Sequence, residues 1–585
     1  MDRIWQITPH DPDLVDRLEK SAGVSPVIAQ LLAARGITDP VRIQKFLTAS
    51  MGDLHDPGLL PNMSEGAEAV FDAVRQKKKI VVFGDYDCDG MSGTAILVNG
   101  LRLIGADIGY FIPNRLEDGY GLNDEAIQSL KKRGTDLIIT VDCGVASLSE
   151  VDLANSLGMS VVITDHHEMK DSLPDAAAVI HPRAKQNSYP FDGLCGAGVA
   201  LKLIWSIFRL ASGSEKVEPK LRDFLVEALG LASIGTVADV VPLLDENRII
   251  VKHGLRSLQK SNRVGVQSLL RVTKLTEKAA LGADDIGFSM GPRLNAAGRL
   301  GQAQLGVELL TTESAERAES LAEYIDGLNS SRDSLERSVY LAANKQIKET
   351  FDAENDAAFV LDGTGWHAGV IGIVAGRIAE KYHRPTVIIS WDQLGLKPGM
   401  GSARSAGNIR LNLAFEHCTD HLLSHGGHAA AAGLKIEKDN IDAFRSAFLE
   451  YCATEQTAED LKPLIRIDAE VLLSQLTLAT MNQLDQMAPF GQANPRPRFC
   501  ATGLQLSGPP KTMGGGDRHL TFGVSQYGKS YRVVAFGKGE MKADLESTAG
   551  DIDLVFQPVI NEFRGYKKVE LHMVDWRPSK SLASV

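Results

Sequence analysis

The sequence predicts an α/β protein: two α/β lobes, the first built on a parallel sheet, joined by a long helix and followed by a small all-β sandwich or barrel. Three observations carry this. Five short apolar runs between residues 79 and 182 are rich in Val and Ile, and helical stretches separate the first four. A charged, amphipathic segment at 311–350 precedes a second α/β pattern. Residues 465–579 then switch to short alternating runs, several of them separated by Gly-containing turns. The expected organisation is a helical lead-in at 1–78, a first lobe at 79–310, a connecting helix at 311–350, a second lobe at 351–460 and the β module at 465–579.

The elements follow in order. The lead-in reads as helical and is broken by the Pro/Gly-rich LHDPGLLPNM at 54–63. Strands are expected at KIVVFG (79–84), IGYFI (108–112), DLIITV (136–141), SVVITD (160–165) and AAVIHP (177–182). Between them lie GTAILVNGLRLIG (93–105), NDEAIQSLKKRG (123–134) and LSEVDLANSLG (148–158). Asn123 suits the N-cap of the second of these helices and Gly134 the position just past its end. Nearly continuous Val/Ile runs fit strands covered on both faces, as in βαβ units. Residues 196–260 are largely helical. In 311–350 the apolar positions Leu321, Ile325, Leu328, Leu335, Val339 and Ala342 follow helical steps, which predicts the helix between lobes. AAFVLDG (357–363), VIGIVAGRIAEKY (370–382) and PTVIIS (385–390) restart the α/β pattern.

Composition narrows the function classes. At about 100–200 residues per domain, 585 residues imply roughly three to five domains. With 44% hydrophobic and 23% charged residues the chain is neither disordered nor collagen-like. Lys plus Arg is 62 and Asp plus Glu 74, a net charge of −12, which argues against an indiscriminate polybasic nucleic-acid binder. It still allows a basic groove on an acidic body. The six cysteines show no CxxC spacing, so neither a zinc knuckle nor a redox pair is expected, and a reducing cytoplasm is. No basic-then-apolar leader opens the sequence, and no apolar run approaches the ~18 residues a membrane span needs.

Chemistry concentrates where first-lobe segments end. The first strand runs into Asp85-Tyr86-Asp87-Cys88-Asp89-Gly90, the third into Asp142-Cys143-Gly144 and the fourth into Asp165-His166-His167; Ala238-Asp239 follows an apolar helical stretch. Carboxyl ends of parallel strands form the ligand crevice of an open α/β sheet. If the first segment stays extended, Asp85, Asp87 and Asp89 share a face. Crowded carboxylates repel unless a cation holds them, and mixed carboxylate and imidazole ligands suit Mn²⁺ or Mg²⁺. There are enough ligands for two ions, the arrangement that clamps a phosphate during in-line attack. Singly, an Asp at a strand end is an ordinary turn or cap residue and a His pair an ordinary surface feature; four such pieces in one lobe are not. An EF-hand is excluded because its closing glutamate position is occupied by Ile96.

These four pieces, in this order and spacing, resemble the successive motifs of the DHH phosphoesterase superfamily. The resemblance extends to the RecJ family of bacterial single-strand-specific exonucleases through LPNM (60–63), IPNRLEDGYGL (112–122), LCGAGVALKL (194–203), GPRLNAAGRL (291–300), WHAGVIGIVAGR (366–377), GSARS (401–405), GGHAAAAG (426–433) and PFGQANPRPRF (489–499). Cys88 stands where that family usually has alanine. The resemblance implies two bound divalent ions, Mn²⁺ or Mg²⁺. Asp87, Asp142, His166 and Asp239 are the surest ligands, Asp85 and Asp165 the next, and Asp142 the bridge. His167 would contact the scissile phosphate or the leaving group, and Asp89 would either ligate or hold the loop. The implied reaction is 5′-to-3′ hydrolysis of single-stranded DNA to 5′-mononucleotides in recombination and repair. The implied partners are single-strand-binding protein and helicases, and the implied state is a monomer. A DHH phosphodiesterase for short oligonucleotides or cyclic dinucleotides is the second reading, disfavoured by the length and the extra β module.

In the second lobe, Gly426-Gly427-His428 suits either a backbone anion nest or a tight turn before an alanine-rich helix. Arg404 and Arg377, together with Arg115, Arg293 and Arg299, are candidate phosphate forks. His367 suits a DNA contact or a buried polar contact. The β module resembles an OB-fold, which implies that Phe522, Tyr531, Phe536, Phe563 and Tyr566 are candidates for base stacking, some of them necessarily core. Arg518, His519, Arg532, Arg564, Lys567 and Lys568 are candidates for positive charge.

Overall fold

Val- and Ile-rich runs place five parallel strands at the centre of the first lobe. Their spatial order is Asp107–Phe111, Lys79–Gly84, Leu137–Val141, Ser160–Thr164, Ala178–Ile180. Ile80–Gly84 and Leu137–Val141 are buried throughout, as strands covered on both faces must be. The order reverses between Lys79–Gly84 and Leu137–Val141, and a ligand crevice opens at such a reversal. The helix Cys88–Leu103, almost wholly buried, leaves this switch point and packs against the helices Gly196–Ser212 and Pro219–Ala238. Small residues permit the approach: a Cβ on Gly93 would lie 2.6 Å from Val141 Cγ1 and 3.1 Å from Ala197 Cα.

The computed structural model describes residues 3–115, 119–184, 188–352, 355–457, 459–548, 550–563 and 565–579. They form two units. One comprises 54–242 and 250–463, with both lobes; the other comprises 3–53, 243–249 and the residues from 464 onward. The first 78 residues are thus divided between the units at Asp53/Leu54 and do not stand as one lead-in.

The lobes are joined by the helix Ala315–Thr350, 36 residues long and so about 54 Å at 1.5 Å per residue. Leu321 and Ile325 are buried in its first half, and Val339, Ala343 and Ile347 join the apolar core of the second lobe. Two expected core positions are exposed, Leu335 and Ala342. Glu336 takes the inward position instead, accepting from Arg332 (2.8 Å) and Arg377 (2.6 Å), so an ion-pair network occupies what the apolar spacing had suggested was a hydrophobic seam. The second lobe is a five-stranded sheet in the order Ser424–Gly427, Ala431–Ile436, Gly399–Arg404, Thr386–Trp391, Phe359–Thr364, with only the last pair parallel.

In the other unit, seven strands from Ala469 to Pro578 form one sheet, and an added pairing of Gln505 with Ser525 curls it toward closure. The strand Ile4–Ile7 pairs in parallel with Leu464–Ile467, and the helices Pro12–Ala22, Pro26–Ala34 and Pro40–Thr48 share the apolar core of this β module. Arg248 is the largest side chain buried here. Its guanidinium donates to the carbonyls of Phe46 (2.7 Å), Met487 (2.8 Å), Gln486 (2.9 Å) and Ala488 (2.8 Å) and lies 4.0 Å over the Phe46 ring. Burial pushes its pKa down to about 9, because carbonyl dipoles and not a carboxylate balance the charge. Arg248→Met removes those donors and leaves buried carbonyls unpaired. It should lower unfolding stability by about 3 kcal/mol in urea titrations.

Candidate active site

Three of the five first-lobe strands hand their ladders to an acid. Asp85 N–H donates to Val141 O (3.1 Å), Asp142 N–H to Thr164 O (3.0 Å) and Asp165 N–H to Ile180 O (3.3 Å), which sets three carboxylates along one sheet edge. Asp239 arrives from the C-terminus of the helix Pro219–Ala238. Three overlapping clusters result, each with ligand atoms within 4.8 Å: Asp85, Asp87 and Asp142; Asp142, His166 and His167; Asp89, His166 and Asp239. His166 Nε2 lies 3.0 Å from Asp142 Oδ1 and 3.5 Å from Asp239 Oδ2.

The segment after Asp85 does not stay extended. Asp87 caps the helix that starts at Cys88, accepting from Asp89 N–H and Gly90 N–H. Asp89, inside the first turn, is therefore swung off the Asp85 face. Its two oxygens accept from Gly196 N–H (2.6 Å) and Ala197 N–H (2.9 Å), at the N-terminus of another helix. Asp142 has φ +63°, a strained conformation for a non-glycine residue that costs about 1–3 kcal/mol. A Cβ on Gly196 would lie 2.6 Å from Asp142 Cβ, so glycine is required there.

Asp85 Oδ1, Asp142 Oδ1, His166 Nε2 and Asp239 Oδ2 are buried and have no hydrogen-bond partner among the described residues. Buried polar atoms are ordinarily paired, so this convergence fits a cation site. The electrostatics agree. Burial first, then neighbouring carboxylates, holds Asp85 and Asp142 well above the usual carboxylate range and raises Asp239 to about 9 and Asp89 to about 6. Burial also lowers His166 to about 3, leaving a neutral imidazole suited to ligation. The donor set is oxygen-rich with one imidazole, as Mn²⁺ and Mg²⁺ accept.

Asp165, expected among the ligands, is not in these clusters. Its Oδ1 accepts from His166 N–H (2.8 Å), His167 N–H (3.1 Å) and His167 Nδ1–H (2.8 Å), and its Oδ2 from Val145 N–H (2.9 Å). Four hydrogen bonds occupy its lone pairs, and they hold Asp165 below its ordinary pKa although burial opposes them. Burial opposes charge on His167 too, but the bond to Asp165 and the nearby carboxylates prevail and raise it to about 9.

The candidate phosphate residues separate into two groups. Arg115 lies 4.9 Å over the Tyr86 ring, Arg299 donates to Gly369 O (3.1 Å), and Arg404 donates to Ala403 O (2.8 Å) and Ser402 Oγ (3.1 Å). These three form a cation cluster: burial and then Arg115, Arg332 and Arg404 lower Arg299 to about 10, and burial with Arg115 lowers Arg404. Arg293 and Arg377 are not in it. Arg293 pairs with Asp326 (2.7 Å), and Arg377 pairs with Glu336 and stacks on Tyr340 (4.3 Å), so both tie down the long helix. His367 caps the helix Ala368–Tyr382, its Nδ1 accepting from Gly369 N–H (3.0 Å). Gly426 and Gly427 lie on a hairpin strand. The alanines after them continue as the partner strand and not as a helix, and Gly427 at φ +135° abuts Ala431 and Ala432. His428, exposed, lies 3.5 Å from Glu168 of the first lobe.

Four residues were not singled out from the sequence. Gly196 is the close approach above. Asn295 Oδ1 accepts from Cys88 N–H (2.9 Å), and Tyr120 O–H donates to Asp142 O (3.0 Å). His181 accepts from Arg183 N–H at Nδ1 (3.0 Å) and donates from Nε2 to His167 O (2.8 Å). Gly196, Asn295 and Tyr120 sit in segments already noted for their resemblance, but no periodicity or charge pattern marks them.

Residues 79–235 match the DHH family, N-terminal domain, residues 355–454 the DHHA1 domain and residues 467–575 the RecJ OB domain. A single-stranded-DNA-specific exonuclease RecJ of Bacillus subtilis is 34% identical over 98% of this chain and 70% of its own length. That of Dickeya dadantii is 36% identical over 93% and 95%. The chain belongs to the RecJ family. The crystal structure of RecJ in complex with Mn²⁺ from Thermus thermophilus superposes with a TM-score of 0.82, at 29% identity, covering 99% of this chain and 80% of that one. The Mg²⁺ complex of the same protein gives 0.75 at 28% identity, covering 99% and 79%. The RecJ-family fold is thus two α/β lobes and an OB module here too, with Mn²⁺ or Mg²⁺ as the cofactor and acidic and histidine groups that could hold it.

Two outcomes follow for the metal-free chain. A carboxyl raised from 3.8 to about 9 keeps a proton that the unfolded chain has lost, and His167 raised from 6.5 to about 9 does the same. Stability should therefore fall as pH climbs from about 7.5 to about 9, the range in which His166 is neutral in both states and contributes no slope. Melting curves in chelator should show this decline, and saturating Mn²⁺ should remove most of it. Asp142→Asn should keep the fold and flatten the decline. It should also forfeit most of the Mn²⁺-induced stabilisation, which for a site filled at a hundred times its dissociation constant is about 2.7 kcal/mol.

Proposed function

We propose that this chain hydrolyses single-stranded DNA from its 5′ end and releases 5′-mononucleotides. The supporting observation is the convergence of orphaned buried carboxylate and imidazole atoms at the sheet switch point, with the Arg115, Arg299 and Arg404 cluster in the same unit. Asp85, Asp87, Asp142, His166 and Asp239 would hold the two divalent ions. Bound ions neutralise the phosphate and lower the pKa of water at the attacking position. Asp165 fixes His167 with Nδ1–H committed to its carboxylate, so Nε2 is left to hand a proton to the departing 3′ oxygen. The three arginines take the 5′-terminal phosphate as charge-assisted forks, which sets the direction of digestion.

The β module guides the downstream strand. Phe522 is buried, so it serves the core. Tyr531 is partly buried and donates to Leu476 O (2.7 Å). Phe536, between His519 and His572, and Tyr566 are exposed and free to stack on bases. Arg564 and the Phe563 side chain lie outside the described residues. Tyr531, Arg532, Tyr566 and Lys568, with Glu570, line a cavity of about 1010 Å³ that offers both aromatic rings and cations. Helicases and a single-strand-binding protein acting upstream would supply the substrate.

Timed digestion of 5′- and 3′-labelled single strands with Mn²⁺, Mg²⁺ or chelator tests the reading. Mononucleotides should leave the 5′ label at once and the 3′ label last, and chelator should stop both; early loss of the 3′ label overturns the direction. Because Ile4–Ile7 pairs with Leu464–Ile467, point changes test the module better than truncation. Tyr566→Ala should weaken binding of long strands by about 1–3 kcal/mol, and Lys568→Ala should reduce the salt slope by about 1.

A further inference from the structure

The Tyr120 hydroxyl sits between the metal cluster and the proton-donating imidazole. It donates to the backbone carbonyl of Asp142 (3.0 Å) and lies 3.0 Å from His167 Nδ1. Because Nδ1 also faces Asp165 Oδ1 at 2.8 Å, Nδ1 carries the hydrogen and the Tyr120 oxygen accepts a share of it. The Tyr120 ring packs edge-on to His167, with centroids 5.4 Å apart, and edge-on to Tyr86 at 6.4 Å. Glycines in the left-handed region flank it, Gly119 at φ +80° and Gly121 at φ +81°, and permit the turn that presents the ring. His167 is thus gripped at one nitrogen by two groups, while its main-chain oxygen is held by His181.

We propose that Tyr120 is a positioning residue for leaving-group protonation. Its hydroxyl, anchored on the strained carbonyl of Asp142, fixes the His167 ring so that Nε2 faces the departing oxygen. The role rests on the reading of His167 given above. The step balances as a hydrolysis. The water oxygen bonds to phosphorus and the P–O3′ bond breaks. The Nε2 proton passes to O3′, and the proton lost by water restores the imidazolium through solvent. A ring able to rotate about its Asp165 bond would spend less time in that geometry, and misplacements of this kind cost one to two orders of magnitude.

The test uses the full chain and two oligonucleotides. One has an ordinary terminal linkage. The other has sulfur in place of the bridging 3′ oxygen, a leaving group that departs without a proton. Tyr120→Phe should cut the ordinary linkage about tenfold more slowly and the sulfur linkage at the parent rate, with Mn²⁺ affinity unchanged by calorimetry. His167→Ala, measured beside it, should lose about a hundredfold on oxygen and recover on sulfur. If His167→Ala recovers but Tyr120→Phe is unaffected, or slow on both linkages, the role of Tyr120 is overturned and that of His167 stands. If Tyr120→Phe weakens Mn²⁺ binding, the hydroxyl acts through Asp142 and the proposal is wrong. If His167→Ala is equally slow on both linkages, the proton-donor reading falls and the positioning role falls with it.

Discussion

Burying several carboxylates side by side is the constraint on which the first lobe depends. Asp85, Asp89, Asp142 and Asp239 lie at one sheet edge, desolvated and close to one another, and the single imidazole among them is held neutral. Such an arrangement is unfavourable unless protons or cations neutralise it. The fold accepts that cost by over-determining the site. The strand ladders fix Asp85, Asp142 and Asp165; helix N-termini fix Asp87 and Asp89; a left-handed backbone at Asp142 is wedged by Gly196. A cation turns the same repulsion into coordination.

Around that core, similar residue types divide into two roles. Asp165 is spent on N–H groups and shapes the pocket from outside the clusters, whereas Asp89 anchors two N–H groups while still facing His166 and Asp239. Arg293 and Arg377 are spent on the long helix, whereas Arg115, Arg299 and Arg404 lie close enough to repel one another. What separates the roles is the number of satisfied hydrogen bonds, a property of the assembled molecule and not of residue type. The Glu336 network ties the long helix to Arg377 of the second lobe, and Arg404 lies in the same unit as the first-lobe carboxylates.

Much was legible in advance because it is local. Continuous Val/Ile runs gave the strands, Asn123 and Gly134 the ends of one helix, and the acids following three of the strands the edge on which the site lies. The Asp85–Asp89 spacing misled, since capping by Asp87 starts a helix where an extended face was expected. Apolar spacing in Ala315–Thr350 misled at Leu335 and Ala342, because an ion pair between distant Arg377 and Glu336 outcompeted apolar burial at that turn. The alanine run after His428 became a strand once hairpin pairing to its neighbours outweighed helix propensity.

The sequence by itself determined the fold class, the kind of metal chemistry and the strand-end acids, because periodicity, residue type and order along the chain encode them. Only the tertiary structure decided which acids keep free lone pairs, which arginines keep free charge, and that residues 3–53 complete the C-terminal module. Those outcomes depend on contacts between residues far apart in the chain, such as Asp89 with Gly196, Tyr120 with His167 and Arg248 with Met487. Desolvation and hydrogen-bond satisfaction at such contacts exist only once the chain has closed on itself.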